Sequence, residues 1–444
     1  LTAERREIEA ELFTGALKAI VATTALELGV DIGGLDACVL NGFPGTIASM
    51  WQQAGRAGRD FQQALAVLVA GDDQLDQWLM AHPTEVFTRQ PEPAVINPSN
   101  PFVLLPHLAC AAYELPLTPA DERWWGDEID DGVRELVQDE QLKVRDGRAF
   151  WAGQGSPAPR IGLRTGSSVE YRIATVARGA GSHGDDARLI GTVDESRAFQ
   201  QVHPGAIYLH QGQAWRVVEL DLEDHVAYVE QATGDETTHT RSETDIRILE
   251  VDRVDTLRRS RLCVGSVEVF EQVVGYQRKD TRTGEVLGTV DLDLPPSRLI
   301  TRAFWYEIEP STLARAGIAP GAWPGTLHAA EHAAIGMLPL FTICDRWDVG
   351  GVSTALQADT GVPTIVVYDG YPGGAGIAEL GFESGWLLLE RTLESVGGCP
   401  CASGCPSCVQ SPKCGNLNEP LDKLGAIALL AEILSARRVQ RPVA

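Results

Sequence analysis

Residues 17–59, LKAIVATTALELGVDIGGLDACVLNGFPGTIASMWQQAGRAGR, decide how the rest of the chain is read. The apolar pattern predicts a short strand, Ala19 to Ala22, then the Thr23-Thr24 pair, a helical turn from Ala25 to Leu28, and Gly29-Val30-Asp31-Ile32. A second strand, Ala37 to Asn41, precedes a helix start that ends in Gln52-Gln53-Ala54-Gly55-Arg56-Ala57-Gly58-Arg59. Two arginines three apart at a helix start are not core residues, because unpaired buried charge is too costly. They suit a polyphosphate: a guanidinium is planar, always charged and forks onto oxygens. Supplied across a domain cleft, such arginines stabilise the charge that develops in phosphoryl transfer. The plain alternative is an ordinary α/β element with a Gly-rich turn.

ATTALELGVDI resembles motif V of superfamily 2 helicases, and QQAGRAGR resembles their motif VI, in the right order. The resemblance implies roles for single residues. Thr23, with Thr24 beside it, would meet a nucleic-acid phosphate. Gly29 and Asp31 would lie at the nucleotide ribose and catalytic water. Gln52, Arg56 and Arg59 would form motif VI, with both arginines as fingers in ATP hydrolysis. Gln53 stands where many members have Arg, a departure expected to matter little.

The chain has 444 residues, enough for two to four domains, and its 44% apolar content is that of a globular protein. No run approaches the roughly 18 apolar residues of a membrane helix, and no signal peptide is evident. No membrane partner is expected, and the location expected is cytoplasmic. Leu1 does not look like a natural start; residues 1–24 read as a helix feeding into motif V. Neither a G-x-x-x-x-G-K-S/T phosphate loop nor a D-E-x-H box occurs. The expectation is the C-terminal part of a longer helicase that does not hydrolyse ATP alone. A net charge of −24 opposes non-specific DNA binding but permits a basic channel within an acidic shell. The densest basic groups are Arg253, Arg258, Arg259 and Arg261, and Lys143, Arg145, Arg148, Arg160 and Arg164. A solvated face is an equally good reading of either.

The fold class expected is a multidomain α/β protein. Residues 1–75 form the C-terminal part of a second RecA-like domain, closed by the strand ALAVLVA. Residues 76–100, rich in Pro and Asn, read as a linker. Residues 101–158 read as helix, helix and a hairpin turning at Asp146-Gly147, the grammar of a winged helix. Its wing residues Lys143, Arg145, Arg148 and Trp151 would meet a phosphate and stack on a base, while Trp124 and Trp125 belong in its core. Residues 159–310 alternate as strands of a small barrel or curled sheet. Residues 311–444 turn α/β again. Gly373-Gly374-Ala375-Gly376 follows a strand and opens a helix, but lacks the G-x-G-x-x-G order and reads as a structural turn.

Of nine cysteines, Cys38, Cys110, Cys263 and Cys344 are scattered among apolar residues and read as inert core thiols. Cys399, Cys401, Cys405, Cys408 and Cys414 cluster near the C-terminus, a metal pattern of a reducing compartment. Four thiolates close a tetrahedral structural Zn2+ site. Cys405 and Cys408 are the surest ligands, then Cys401; Cys399 and Cys414 compete for the fourth place. His328-Ala-Ala-Glu331-His332 fits the inverted zinc-protease pattern H-x-x-E-H, with Glu331 as base, but lacks a third ligand in sequence.

LHAAEHAAIGMLP, CDRWDVGG, YDGYPGGAGIAE and CPCASGCPSCVQSPKCGN, in this order, resemble the zinc-binding module of the SftH, YprA and mitomycin-repair-factor helicases. These are bacterial relatives of the eukaryotic Hrq-type repair helicases. The resemblance spans essentially the whole chain. It implies an ATP- and Mg2+-dependent 3′-to-5′ DNA helicase in repair, acting on single-stranded or forked DNA. Its partner would be the N-terminal RecA-like domain of the same protein, and the zinc module would buttress the motor. The alternatives are a DNA- or protein-docking module without motor role, and a zinc hydrolase at His328, Glu331 and His332.

Overall fold

The computed structural model describes residues 2–27, 35–58, 63–92, 94–161, 169–176, 188–257 and 259–440. Helix α1 (Thr2–Phe13) ends well before motif V. Ala19 to Ala22 forms no strand, and Val21 is fully exposed at 102%. A strand exists through a neighbour's N–H and C=O groups, and among the described residues none lies alongside. The helical turn expected over 25–28 is a single 3-10 turn, Thr24–Leu26, with Leu28 outside the described residues. Strand β1 (Ala37–Asn41) forms as expected, as does β2 (Leu65–Val69), which pairs with it in parallel, Ala37 opposite Leu65.

Between them, α2 (Ile47–Ala54) is capped twice. The Thr46 hydroxyl accepts the Ser49 N–H at 3.0 Å, and the Glu92 carboxylate accepts the Ile47 N–H at 2.8 Å. Both satisfy N–H groups that have no partner within the helix. The helix stops at Gly55, so Arg56 follows a helix end and does not open one.

The expected linker begins with structure instead: α3 (Gln74–Ala81), capped by Asp73, and α4 (Glu85–Thr88). Pro83 separates these helices without preventing them, and Trp78, Leu79 and Val86 are buried. Asp76 in α3 accepts the N–H groups of Phe43 (3.0 Å) and Gly71 (2.6 Å), tying together the chain just beyond β1 and β2.

Next come α5 (Pro101–Glu114), α6 (Glu122–Trp125), α7 (Glu128–Gln138), β3 (Leu142–Arg145) and β4 (Arg148–Trp151). Asn100 caps α5, with Pro101 at the first position where its missing N–H costs nothing. The β3–β4 turn has Asp146 at φ 49° and Gly147 at φ 72°, the left-handed pair that a tight twisted hairpin demands. Leu104, Leu108, Ile129, Leu136 and Leu142 form this unit's own core. Trp125 packs against it, but Trp124 is 73% exposed beneath the Arg123 guanidinium and is no core residue.

Strands β5 (Glu170–Thr175) and β6 (Leu189–Asp194), helix α8 (Glu195–Gln201), and strands β7 (Ile207–His210), β8 (Gln213–Asp221) and β9 (Val226–Gln231) follow. They form a five-stranded sheet in the order β6-β5-β9-β8-β7. A long hairpin, β10 (Glu236–Leu257) and β11 (Ser260–Asp280), then leads to β12 (Val286–Asp291) and β13 (Ser297–Ile308). A Cβ at position 265 would come within 1.9 Å of the Glu250 carbonyl, beside a register shift, so the hairpin's bend needs Gly265.

The chain continues through α9 (Pro310–Arg315), α10 (Trp323–Met337), β14 (Val349–Thr354), β15 (Thr364–Asp369), α11 (Ile377–Gly398) and α12 (Lys423–Gln440). Helix α10 ends at Met337, two residues before Pro339, which lacks an N–H to continue it. The strands expected over 159–310 as a small barrel or curled sheet divide between the five-stranded sheet and a six-stranded one, β10-β11-β13-β15-β14 with β12 on β11, which continues past residue 310. Strand β13 explains this. Ala303, Phe304, Trp305, Tyr306 and Ile308 are almost wholly buried, and such a run needs cover on both faces. Phe304 and Tyr306 join the core with α10, α11 and α12; Ala303 and Trp305 join a smaller core on the opposite face. The larger core also takes Leu40, Met50, Leu75 and Trp78, so the β1–β2 region with α2 and α3 shares one interior with the C-terminal helices.

Candidate nucleotide, nucleic-acid and metal sites

Motifs V and VI are fastened together. Glu27 accepts hydrogen bonds from the Ser49 hydroxyl (2.7 Å) and the Gln53 amide (2.9 Å), and its carbonyl accepts from the Arg56 guanidinium. Gln53 is therefore a structural tie, a role the sequence did not reveal. Gly58 N–H donates to Leu35 O at 3.0 Å, holding the end of motif VI beside the entry to β1. Gln52 is exposed, as are Thr23 and Thr24. Gly29, Asp31 and Arg59 lie outside the described residues.

The wing has two faces set by its register. Lys143 lies opposite Phe150 and Arg145 opposite Arg148, so these four share one face, which is exposed. Leu142, Val144, Ala149 and Trp151 share the other face. Leu142 and Ala149 are buried there, and the Trp151 indole N–H is taken by the Gly155 carbonyl at 2.9 Å. Trp151 is thus turned toward the core and does not present a stacking surface; Phe150 does, among three cations. The Asp146-Gly147 turn was the signal for this, because a two-residue turn dictates which residues oppose each other.

The other basic group behaves as a paired face. Arg253 meets Glu383, Arg259 meets Glu309 and Arg261 meets Glu307. Arg258 and Arg164 lie outside the described residues, and nothing is described of the Arg160 side chain. The Gly-rich turn is filled by protein: Asn100 donates to the carbonyls of Pro372 (2.8 Å) and Gly374 (3.0 Å), so it clamps α5 to the zinc module.

Cys399, Cys401, Cys405 and Cys408 converge, and Cys414 stands apart from them. Their Sγ atoms are 3.5–3.7 Å apart along four edges. Zinc–sulfur bonds of about 2.3 Å in a tetrahedron require sulfurs roughly 3.8 Å apart, so the four thiols fit zinc. Cys408 is pushed up from its ordinary value by burial. Burial opposes ionisation of Cys401 too, but hydrogen bonds from Lys423 and the neighbouring cysteines outweigh it and bring that thiol down to about 6. The buried Lys423 ammonium donates to the Cys399 and Cys401 carbonyls at 2.8 and 2.7 Å, and to Cys401 Sγ at 3.2 Å. It offsets part of the thiolate charge, and nothing in its spacing announced it. The knuckle also grips the start of α3 and the residues before it. Gln74 at the start of α3 donates to the carbonyls of Cys408 (3.3 Å) and Gln410 (3.2 Å), and the Ser407 hydroxyl to Asp72 O (3.0 Å).

Cys414 lies instead with His328 and His332 of α10; ligand atoms of all three lie within 4.8 Å of one another. Glu331 lines the same cavity as these three and is held by Ser353. Its carboxyl occupies the space a Cβ on Gly351 would need and is raised to about 7 by burial. The base required by the hydrolase reading is therefore engaged with Ser353.

Three family models match successive parts of the chain. They are a helicase conserved C-terminal domain over residues 1–60, the winged helix domain of ATP-dependent helicase HRQ1 over 96–165, and the MrfA Zn-binding domain over 330–409. Together they define a superfamily 2 helicase carrying a winged helix and a zinc-binding module. The ATP-dependent helicase YprA of Bacillus subtilis is 38% identical over 92% of this chain and 53% of its own length. HRQ1 of Saccharomyces cerevisiae is 29% identical over 97% of this chain and 41% of its own. The crystal structure of the DUF1998 helicase MrfA bound to DNA is 36% identical, with a TM-score of 0.61 over 98% of this chain and 56% of MrfA. The chain is homologous to the MrfA, YprA and Hrq1 helicases, which makes it part of a superfamily 2 helicase of their type. It spans about half the length of the relatives it matches.

Proposed function

We propose that this chain is part of an ATP-dependent, 3′-to-5′ DNA helicase that acts in DNA repair. The observation that carries the reading is the tie between motif VI and motif V through Glu27, which holds Arg56 in a fixed place beside β1. Arg56 and Arg59 reach across to ATP held with Mg2+ on the first RecA-like domain of the same protein, with Gly29, Asp31 and Gln52 completing the contact. Thr23 and Thr24 bear on a DNA phosphate, and Lys143, Arg145 and Arg148 grip single-stranded or forked DNA. Fixed cations at the transferring phosphoryl group stabilise its charge without reorganising. The need for a partner domain is supported by Val39 and Leu65, which are 65% and 60% exposed on a parallel strand pair, a type of sheet that is normally covered on both faces. Support for the ligands comes from MrfA, whose solved structures include one bound to DNA and AMPPNP, with a TM-score of 0.58 and 35% identity.

The test is DNA-stimulated ATPase and fork unwinding by the intact polypeptide, wild type against Arg56→Ala. Loss of an arginine finger is worth about 10³-fold or more in turnover. Unchanged ATPase in Arg56→Ala would instead support a docking role. The 444-residue chain, without a phosphate loop, is expected to show no ATPase by itself.

A further inference from the structure

We infer that His328, His332 and Cys414 form a second metal site, separate from the four-cysteine knuckle, that takes one zinc-class divalent cation. The inference does not depend on the helicase reading. Three observations carry it.

The first is convergence. Two residues one helical turn apart on α10 and one from the loop after the knuckle bring three soft or borderline donors within 4.8 Å of one another. Cys414 Sγ is 3.4 Å from His328 Nε2. A tetrahedral zinc with bonds of about 2.0 Å to nitrogen and 2.3 Å to sulfur sets that separation at roughly 3.5 Å.

The second is the way each ligand is held. His328 Nδ1 lies 2.9 Å from the Pro420 carbonyl and His332 Nδ1 2.9 Å from the Val409 carbonyl. A carbonyl only accepts, so both rings carry their proton on Nδ1 and keep the Nε2 lone pair free. Rings fixed in this way by a backbone carbonyl are the usual second layer around a metal-binding histidine. Burial raises the Cys414 thiol above its ordinary value, and the Asn418 N–H that its Sγ accepts at 3.2 Å works against that rise.

The third is access. All three residues line one cavity, together with Trp347, Tyr371 and Arg298. Three protein ligands leave a fourth position, which opens to that cavity. The nearby Lys413 ammonium is taken up by the Arg346 and Val349 carbonyls.

Binding displaces the thiol proton of Cys414 to solvent, and no electrons move. Two neutral imidazoles and one thiolate are a donor set for zinc rather than for magnesium or calcium. The cation fastens residues 409–420 onto α10, and through them Gly415, whose carbonyl accepts from Ser242 of β10 at 3.4 Å. The matched zinc-binding domain ends at residue 409 and begins at 330, so two of the three ligands fall outside it.

The experiment counts zinc by native mass spectrometry of the purified chain after equilibration with zinc and desalting. The expected result is two zinc ions for the wild type and one each for His328→Ala and Cys414→Ser. Cobalt then reports which site is lost. The variants should keep the intense thiolate-to-cobalt absorption of the cysteine knuckle and lose only a weaker component. One zinc in the wild type, or two in both variants, overturns the inference. If a variant does not fold, the wild-type count alone decides between these outcomes.

Discussion

Asp369 sits at the end of β15, where its carboxyl is 1% exposed and only one oxygen finds a hydrogen-bond partner. Burial, reinforced by Glu379 and countered by the N–H groups of Ala378, Gly376 and Ala375, raises it to about 7. A folded-state value above the unfolded one means that the native protein holds this proton longer. Its stabilising effect is complete below about pH 4 and is lost as the pH rises toward 7, at a slope of at most about 1.4 kcal/mol per pH unit. Asp369→Asn should remove that slope, so its denaturant midpoint relative to wild type should rise between pH 5 and pH 8. A relative midpoint that does not move with pH would show the carboxyl to be charged in the native state. Lys423 belongs to the same scale. Its removal leaves the knuckle's negative charge without a close counter-charge, and Lys423→Met should weaken zinc binding by about 10- to 100-fold in competition with a chromophoric chelator.

Among the elements, the β3–β4 ribbon gives the sharpest expectations. Its cationic face carries Lys143, Arg145 and Arg148, which form no ion pair among the described residues, around Phe150. If each cation neutralises one phosphate, replacing all three by Ala should reduce the slope of log affinity against log salt by about 2 on single strands. Phe150→Ala should cost roughly 1–3 kcal/mol of single-strand affinity without altering the melting temperature. Trp151→Ala should do the reverse, lowering the melting temperature while changing affinity less, because its ring packs inward. Fluorescence anisotropy at several salt concentrations, beside thermal melts, separates the two. Equal effects of both substitutions on affinity would contradict the two-faced wing.

For the molecule as a whole, the four-cysteine knuckle and the region around β1, β2 and α3 are one mechanical unit. The knuckle holds Gln74 and Asp72, and the core of the zinc module includes Trp78 and Leu79. Zinc that binds only the folded state adds its binding energy to folding. Chelation should therefore lower the melting temperature of the β1–β2 region together with the module, in a single transition seen also by tryptophan fluorescence. Two separated transitions would show that the shared core does not couple them. No helix among the described residues is long and apolar enough to cross a membrane.

Local chemistry was legible in the sequence wherever a residue's role follows from its neighbours along the chain. Motifs V and VI, the Asp146-Gly147 hairpin, the helix–helix–hairpin order and the cysteine knuckle all depend on short spacings. The tertiary structure decided what depends on residues far apart. It removed Cys414 from the knuckle and placed it against His328 and His332, more than 80 residues away along the chain. It turned Glu331 toward Ser353 and Trp151 toward the core. It also joined β13 to β15, dissolving the border expected near residue 310. The physical reason is common to these cases. A tight turn or a metal knuckle fixes its own geometry within a few bonds. Which partner completes a buried strand, or which thiol a histidine meets, depends on how non-local surfaces pack, and neither spacing nor composition encodes that.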